Sequence, residues 1–454
     1  MTAQNSKDAP GSRGNVKSDT WRAVYFDTTY TRTQVGSVGI TRTVRRLLHE
    51  LQQGLLSRVP LQCVAFHSNG YRLVGSNEIK SHQATTEEVR DSFPARLLRW
   101  ISESFARRLA FNLLPTLLLY WVWRIQSALT FDALSKDGKP VQFAYGDLLL
   151  LGDASWCCNA WVAACLARAQ GAKVVLIVYD LIPITQPEYS SPLTTIIFRK
   201  WLERMLSCVD GIVCISQATE NDLRAYAQRY QLPLPPTNHF RLGCDNTHVT
   251  SKPSARDQLK SFLRSDMPCF ASVGTFEPRK NYGMLLTVFE QLWARGHSMR
   301  LIILGRPNPD CHTLLQRLKH HPEQGKRLLT VFDGADQELE YVYSHCRALI
   351  LPSLAEGFGL PLVEARTRGC TVIANDLPSF LELADEGVIF YKENSQEELV
   401  NLLVKFTEEE QYRSESICMP SFTWRDSAVQ LIQIIDYLFD SPKDGVQNSC
   451  ADGQ

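Results

Sequence analysis

The segment from Leu351 to Gly369, LPSLAEGFGLPLVEARTRG, carries two carboxylates, Glu356 and Glu364, eight positions apart, with Gly357, Phe358, Gly359 and Leu360 between them. Pro361 follows, at a place where the first turn of a helix tolerates proline because that N–H has no intrahelical partner. The pattern predicts a strand, a glycine loop and a helix start. Free N–H groups and the partial positive charge of a helix N-terminus suit a phosphate. Carboxylates repel phosphate but accept hydrogen bonds from sugar hydroxyls, so a ligand that carries both sugar and phosphate reconciles the two. Upstream, Ala271 to Asn281 reads ASVGTFEPRKN: a short apolar strand ending at Gly274, a turn, then Arg279 and Lys280, with Asn281 expected to cap the next helix. Two cations at the carboxyl end of a strand can neutralise a diphosphate, Arg as a planar fork and Lys as a point charge.

The elements that must position these groups alternate along the chain. Trp21 to Asp27 predicts a first buried strand. Gly36 and Gly39 then precede Ile40, Val44, Leu47, Leu48 and Leu51 at helical spacing. Further strands are expected at Leu61 to His67, Gly146 to Trp156 (ending in Asp153), Lys173 to Tyr179, Gly211 to Ile215 and His239 to Asp245, with helices at Asn159 to Gln170, Leu193 to Ser207 and Gln217 to Ala227 between them. The second half repeats the alternation: strands Cys269 to Val273, Arg300 to Leu304, Leu328 to Phe332, Ala348 to Leu351, Thr371 to Ala374 and Val388 to Phe390, and helices Tyr282 to Ala294, Thr313 to His320, Leu339 to Cys346 and Pro361 to Arg368. Strands alternating with helices build parallel sheets, and ligands gather at the carboxyl ends of such strands. Asp153, Tyr179, Asp180 and Ser216 stand at such ends, although a strand-end Asp is also a common turn former.

At 454 residues the chain exceeds one ordinary core, so two domains are expected. Hydrophobic residues make up 44% and the formal net charge is zero, which gives no bulk reason to expect a nucleic-acid partner. Thirteen cysteines include no Cys-x-x-Cys pair, and the adjacent Cys157 and Cys158 lack zinc-ligand spacing; they read as reduced, mostly buried thiols of a cytoplasmic protein. P-loop, serine-hydrolase and zincin motifs are absent from the sequence, as is an Asp-x-Asp metal motif. Phe93 to Gln126 sets Arg96, Arg99, Arg107, Arg108 and Arg124 against the single acid Glu103, with Leu97, Leu98, Trp100, Ile101 and Phe105 interleaved. Such a stretch suits the headgroup layer of an anionic membrane, or a helix pair packed on the first domain.

EGFGLPLVE, in register with VGTFEPRKN, resembles the retaining glycosyltransferases of family 4. The resemblance implies an α/β chain of GT-B fold, two Rossmann-like doubly wound domains facing across a cleft. The expected division is a disordered lead-in at 1–19, an acceptor-side domain at 20–248 with the basic insertion 93–126, a nucleotide-sugar domain at 249–421, a closing helix at 422–440 that returns to the first domain, and a disordered tail at 441–454. It also implies roles. Glu364 accepts from the ribose, Arg279 and Lys280 pair with the diphosphate, and the amides of Gly357, Phe358, Gly359 and Leu360 add donors. Glu356 accepts hydroxyls of the transferred sugar, and Gly39 and Gly274 lie against the donor. Asp180, Tyr179 and Asp153 are possible sugar or acceptor contacts, Tyr179 standing where the family often has His, and Thr275 standing where it often has Arg. The family is metal-independent and needs no cofactor; front-face attack with retention is implied.

GTFEPRKN, GITRTVRRLL and GDLLLLGDASW further resemble bacterial mannosyl- and rhamnosyltransferases of O-antigen or exopolysaccharide synthesis. That implies a GDP-linked donor, a lipid-linked glycan acceptor and a cytoplasmic protein peripheral on the inner membrane face. A nucleotide-sugar epimerase of the same architecture, or a non-catalytic scaffold of a synthesis complex, are the alternative readings.

Overall fold

The short apolar runs form strands, and in the computed structural model they assemble into two separate sheets. The structure describes residues 21–34, 39–55, 59–75, 116–158, 160–244, 255–264, 266–392, 394–408 and 422–440. The first sheet contains β1 (Ala23–Asp27), β2 (Leu61–His67), β3 (Gly70–Leu73), β4 (Asp147–Leu151), β5 (Lys173–Val178), β6 (Gly211–Cys214) and β7 (Thr237–His239), in the order β3-β2-β1-β4-β5-β6-β7. All its pairings are parallel except β2 with β3. The second contains β8 (Cys269–Val273), β9 (Arg300–Leu304), β10 (Leu328–Val331), β11 (Ala348–Leu351), β12 (Val372–Asn375) and β13 (Val388–Tyr391), in the all-parallel order β10-β9-β8-β11-β12-β13. β1, β4, β8 and β11 are buried along their whole length, as strands covered on both faces must be.

The helices that matter for the site are α1 (Gly39–Glu50), α2 (Thr116–Ser135), α3 (Ala160–Ala169), α4 (Pro192–Cys208), α5 (Gln217–Tyr230), α6 (Tyr282–Ala294), α7 (Asp336–His345), α8 (Leu360–Thr367) and α9 (Trp424–Asp440). The α/β class and the two facing Rossmann-like domains expected from the sequence are present. One apolar cluster runs from Val24 and Leu150 through Phe240 and Leu242 to Phe358, Phe380 and Trp424, so the domains share packed surface. α9 lies against α1, β6 and β7. There Trp21 donates its indole N–H to Asp436 at 3.2 Å and meets Phe439 edge to face. The chain leaves the first domain at Gly243 and comes back at Thr423, where Cys244 donates its N–H to the Phe422 carbonyl at 2.8 Å.

Several expectations are corrected. The hairpin strand β3 was not foreseen; it turns back from β2 through Ser68 and Asn69 and pairs antiparallel over only four positions. The strand expected at His239 to Asp245 is instead Thr237–His239, and Cys244 makes an isolated bridge to Thr423. Asn281 does not cap α6 with its side chain. It takes the left-handed conformation with φ 56°, and its amide donates to Asn394 at 2.8 Å. Cys165 and Cys208 are not free thiols but form a disulfide joining α3 to α4. Of the basic stretch 93–126, residues 93–115 lie outside the described residues, as do 1–19 and 441–454. From Thr116 the chain is the helix α2, and no helix among the described residues is long and apolar enough to cross a membrane.

Candidate active site

The turn after β8 gathers the cations. Gly274 closes the strand with φ 143°, and a Cβ built there would stand 3.2 Å from Cε of Lys280, so a side chain at this position would push the lysine aside. Pro278, Arg279 and Lys280 form a single 3-10 turn that presents both cations from one side of the domain. The loop after β11 brings the acid to meet them. Arg279 Nη1 donates to Oε2 of Glu356 at 2.5 Å, and Lys280 Nζ and Ser353 Oγ both donate to its Oε1, the serine at 2.7 Å. Arg279 also donates to the Ala355 carbonyl at 2.9 Å and to Glu277 at 2.7 Å, which fixes the guanidinium plane.

The electrostatics follow from burial and pairing. Burial alone would raise the Glu356 carboxyl, but Lys280 and Arg279 outweigh it and hold the group at about 2. Burial pulls the Lys280 ammonium below its ordinary value, with Glu356 acting against it. For Arg279 burial also acts downward, and Glu356, Glu277 and Asp180 together carry it upward. These residues therefore form a charged, closely coupled cluster within the protein rather than a solvated patch.

The glycine loop is built for close approach. Gly359 caps α8 in the left-handed region with φ 113°, and a Cβ there would fall within 2.7 Å of the Phe380 ring, so only glycine fits. Gly357 meets the first domain: a Cβ on it would stand 2.2 Å from the Tyr179 carbonyl oxygen. Its own carbonyl accepts from Ser216 Oγ at 2.6 Å and Thr219 Oγ1 at 3.1 Å, the first residues around the start of α5. Phe358 is buried in the shared apolar cluster, and Leu360 opens α8 with Pro361 behind it. Glu364, only 6% exposed, accepts from the Tyr343 hydroxyl at 2.9 Å and from Arg42 Nη1 of α1 at 2.5 Å.

The first-domain candidates divide. Asp180 is half-buried at the end of β5 and accepts from Ile182 N–H at 3.1 Å; burial raises its carboxyl, and Arg279 across the boundary opposes the rise. Gly39 begins α1 with φ 52° and open space beside it. Tyr179 is buried, with its hydroxyl donating to the Gly152 carbonyl at 2.6 Å. Asp153 is also buried. It accepts from Thr31 N–H at 2.7 Å, Thr31 Oγ1 at 3.0 Å and Ala154 N–H at 2.8 Å, and so pins the loop after β1. Thus Lys280, Arg279, Glu356, Asp180 and the loop from Gly357 to Leu360 come together, while Tyr179 and Asp153 are engaged inside the first domain. Sequence reasoning placed Ser216 at a strand end but missed Arg42, Tyr343, Thr219 and Ser353. The run GITRTVRRLL offered several arginines, and nothing in its spacing singled out Arg42.

The sheet orders and facing domains define the GT-B fold, and solved structures agree. Sucrose-phosphate synthase from Thermosynechococcus elongatus aligns with a TM-score of 0.62 at 15% identity, covering 92% of this chain and 99% of that one. HepE from Anabaena, solved in complex with UDP and glucose, aligns with a TM-score of 0.54 at 14% identity, covering 93% and 100%. Residues 254–417, the segment that carries Lys280, Glu356 and Glu364, match the family described as Glycosyl transferases group 1. Among curated proteins, the serotype-specific mannosyltransferase WbdA of Escherichia coli is 30% identical over 309 residues, 65% of this chain but 38% of that protein. The O-antigen chain mannosyltransferase B of Escherichia coli is 23% identical over 269 residues, 57% of this chain and 69% of that one. This chain therefore spans well under half the length of the WbdA proteins that it matches.

Proposed function

We propose that the chain is a retaining, metal-independent glycosyltransferase that moves a hexose, mannose or D-rhamnose favoured, from a GDP-linked sugar to a lipid-linked glycan in O-antigen or exopolysaccharide synthesis. The observation that carries the reading is the convergence of Arg279 and Lys280 on Glu356 beside the loop from Gly357 to Leu360. Without donor, Glu356 satisfies both cations. A bound diphosphate takes over the cations, and Glu356 is released toward the hydroxyls of the sugar. Glu364 accepts from the ribose, and Asp180, which faces Arg279 from the other domain, accepts from the sugar or the incoming acceptor.

In the reaction the bond from the anomeric carbon to the diphosphate oxygen breaks, and a bond to the acceptor oxygen forms on the same face. The acceptor proton passes to the leaving diphosphate. Arg279 and Lys280 stabilise the charge that develops on that leaving group, the task a divalent cation performs elsewhere. The names of the mannosyltransferase relatives support the choice of sugar class.

A donor panel tests the proposal: GDP-mannose, GDP-rhamnose, UDP-glucose and UDP-N-acetylglucosamine, read by thermal shift and by released nucleotide with and without membrane lipid extract. Acceptor-dependent release of GDP supports the transferase. Conversion of the sugar without an acceptor makes the chain an epimerase, and neither shift nor release with any donor makes it a scaffold.

We further propose that it works on the inner face of the cytoplasmic membrane, through the arginine-rich stretch 93–126. In α2 the side chains of Leu118, Trp121, Ile125 and Leu129 share one face and are exposed, with Arg124 over the Trp121 ring at 5.3 Å. Flotation with anionic liposomes after changing Arg96, Arg99, Arg107 and Arg108 to Glu tests this; unchanged flotation rejects it.

A further inference from the structure

Glu364 is held from two sides that belong to different domains. Tyr343, near the end of α7, donates to Oε2 from within the second domain, and Arg42, in the first turn of α1, donates to Oε1 from the first, 322 positions away in sequence. The Glu364 side chain is 8% exposed and that of Arg42 18%. Each carboxylate oxygen has two acceptor sites. One protein donor apiece leaves one site on each oxygen, the number that two neighbouring hydroxyls require. A carboxylate closed off from water and bonded only to neutral hydroxyls keeps a charge that a buried setting penalises strongly. The cation hydrogen-bonded to it here stands on the other domain, while Arg368 of the second domain acts on it at longer range.

We infer that Arg42 is a positioning residue that supplies, across the cleft, the counter-charge for the carboxylate that receives the ribose hydroxyls of a nucleoside diphosphate. The inference rests on the reading of Glu364 as the ribose acceptor. It makes nucleotide binding and domain closure mutually favourable. Ribose displaces water from Glu364 and increases the need for Arg42, and closure delivers Arg42 only when α1 reaches α8. By linkage, a ligand that prefers the closed arrangement shifts the population toward it, and the closed arrangement in turn binds that ligand more tightly. Two further contacts across the boundary, Ser216 and Thr219 on the Gly357 carbonyl, are neutral and touch the loop rather than the carboxylate. They provide a control that loosens closure without removing charge.

The test is calorimetric titration of the full chain with GDP and UDP, each beside its 2′,3′-dideoxy analogue. The variants are Arg42→Gln, Arg42→Lys, Glu364→Gln, the Arg42→Gln/Glu364→Gln double and Ser216→Ala. The unaltered chain is expected to bind its preferred nucleotide at least about tenfold more tightly than the dideoxy form, since a site built to bond hydroxyls rejects the analogue that lacks them. Arg42→Gln should lose most of that discrimination, Arg42→Lys should recover part of it, and Ser216→Ala should keep it. Once Glu364 is neutral, removing Arg42 should add little, so the double variant should bind like Glu364→Gln alone. Discrimination unchanged in Arg42→Gln, or additive losses in the double variant, overturns the inference while leaving the nucleotide site intact. Failure of the unaltered chain to bind either nucleotide overturns the reading of Glu364, and the inference with it.

Discussion

Lys280 and Glu356 form an ion pair in which both side chains are almost wholly buried, at 9% exposure each. Neither partner tolerates isolation in such a place. Removing one partner of a buried pair commonly costs about 3–5 kcal/mol, because the other is left as an uncompensated charge. The pair is therefore the natural place to separate binding chemistry from stability.

Lys280→Ala should abolish nearly all sugar transfer, since a diphosphate leaving group loses a charge-assisted partner worth about 2–4 kcal/mol. Initial rates under saturating donor measure it. A folded Lys280→Ala protein that turns over at the normal rate would show that the diphosphate lies elsewhere.

Glu356→Ala leaves Lys280 and Arg279 facing each other without their shared acid. The melting temperature should fall, and the upward shift produced by a nucleoside diphosphate should be larger than in the unaltered chain, because the ligand then replaces the missing anion. An equal or smaller shift in the variant would mean that the diphosphate does not contact these cations.

Acid and neutral pH should expose two opposite linkages. Glu356 is held at about 2, below its ordinary value of 4.5, so the stability it contributes is complete above about pH 4.5 and is lost as pH falls toward 2. Asp27 is raised to about 7, first by burial and then by Asp153, which burial itself raises to about 6. Their native forms hold protons that the unfolded chain has released, so this contribution is present below about pH 4 and is lost as pH rises to 7. Oδ2 of Asp27 is buried with no hydrogen-bond partner among the described residues. Asp27→Asn should accordingly gain about 1–2 kcal/mol at pH 8 relative to pH 5, a tenfold change in proton affinity being worth about 1.4 kcal/mol. Urea unfolding at the two pH values measures the difference; a pH profile that Asp27→Asn leaves unaltered refutes it.

Gly357→Ala should separate the domains without unfolding either, since the added methyl meets the Tyr179 backbone rather than a movable side chain. The expected result is a radius of gyration above that of the unaltered chain by small-angle scattering, with transfer lost and melting little changed. Full transfer in this variant would show that the contact is dispensable.

The layout of both sheets was legible because apolar runs such as LLLL at β4 and VVLIV at β5 are short, unbroken and buried on both faces. β3 escaped because Gly70–Leu73 is short, mostly half-buried and held by its pairing with β2 rather than by its own pattern. Within the site, Lys280 and Glu356 were legible from residue type and local spacing. Arg42 with Glu364, and Ser216 with Gly357, were not, because each pair is joined by the docking of two domains. Cys165 and Cys208 were read as thiols for a related reason: only the packing of α3 on α4 brings their sulfurs together. Asn281 differed because the turn that presents Lys280 needs a left-handed residue at that point, which outweighs the residue's usual capping role.

Where the polypeptide leaves the first domain it runs against the place where it returns: a Cβ on Gly243 would stand 2.4 Å from the backbone of Thr423, and Cys244 is bonded to Phe422. Two crossings pinned at one point act as a pivot. The domains can swing about it but cannot slide past one another there, and because Cys244 also reaches Thr367 at the end of α8, 3.4 Å away, the helix that carries Glu364 sits beside the pivot. A bulkier residue at 243 would thus alter the geometry of substrate capture from outside the catalytic cluster, through the axle rather than the jaws.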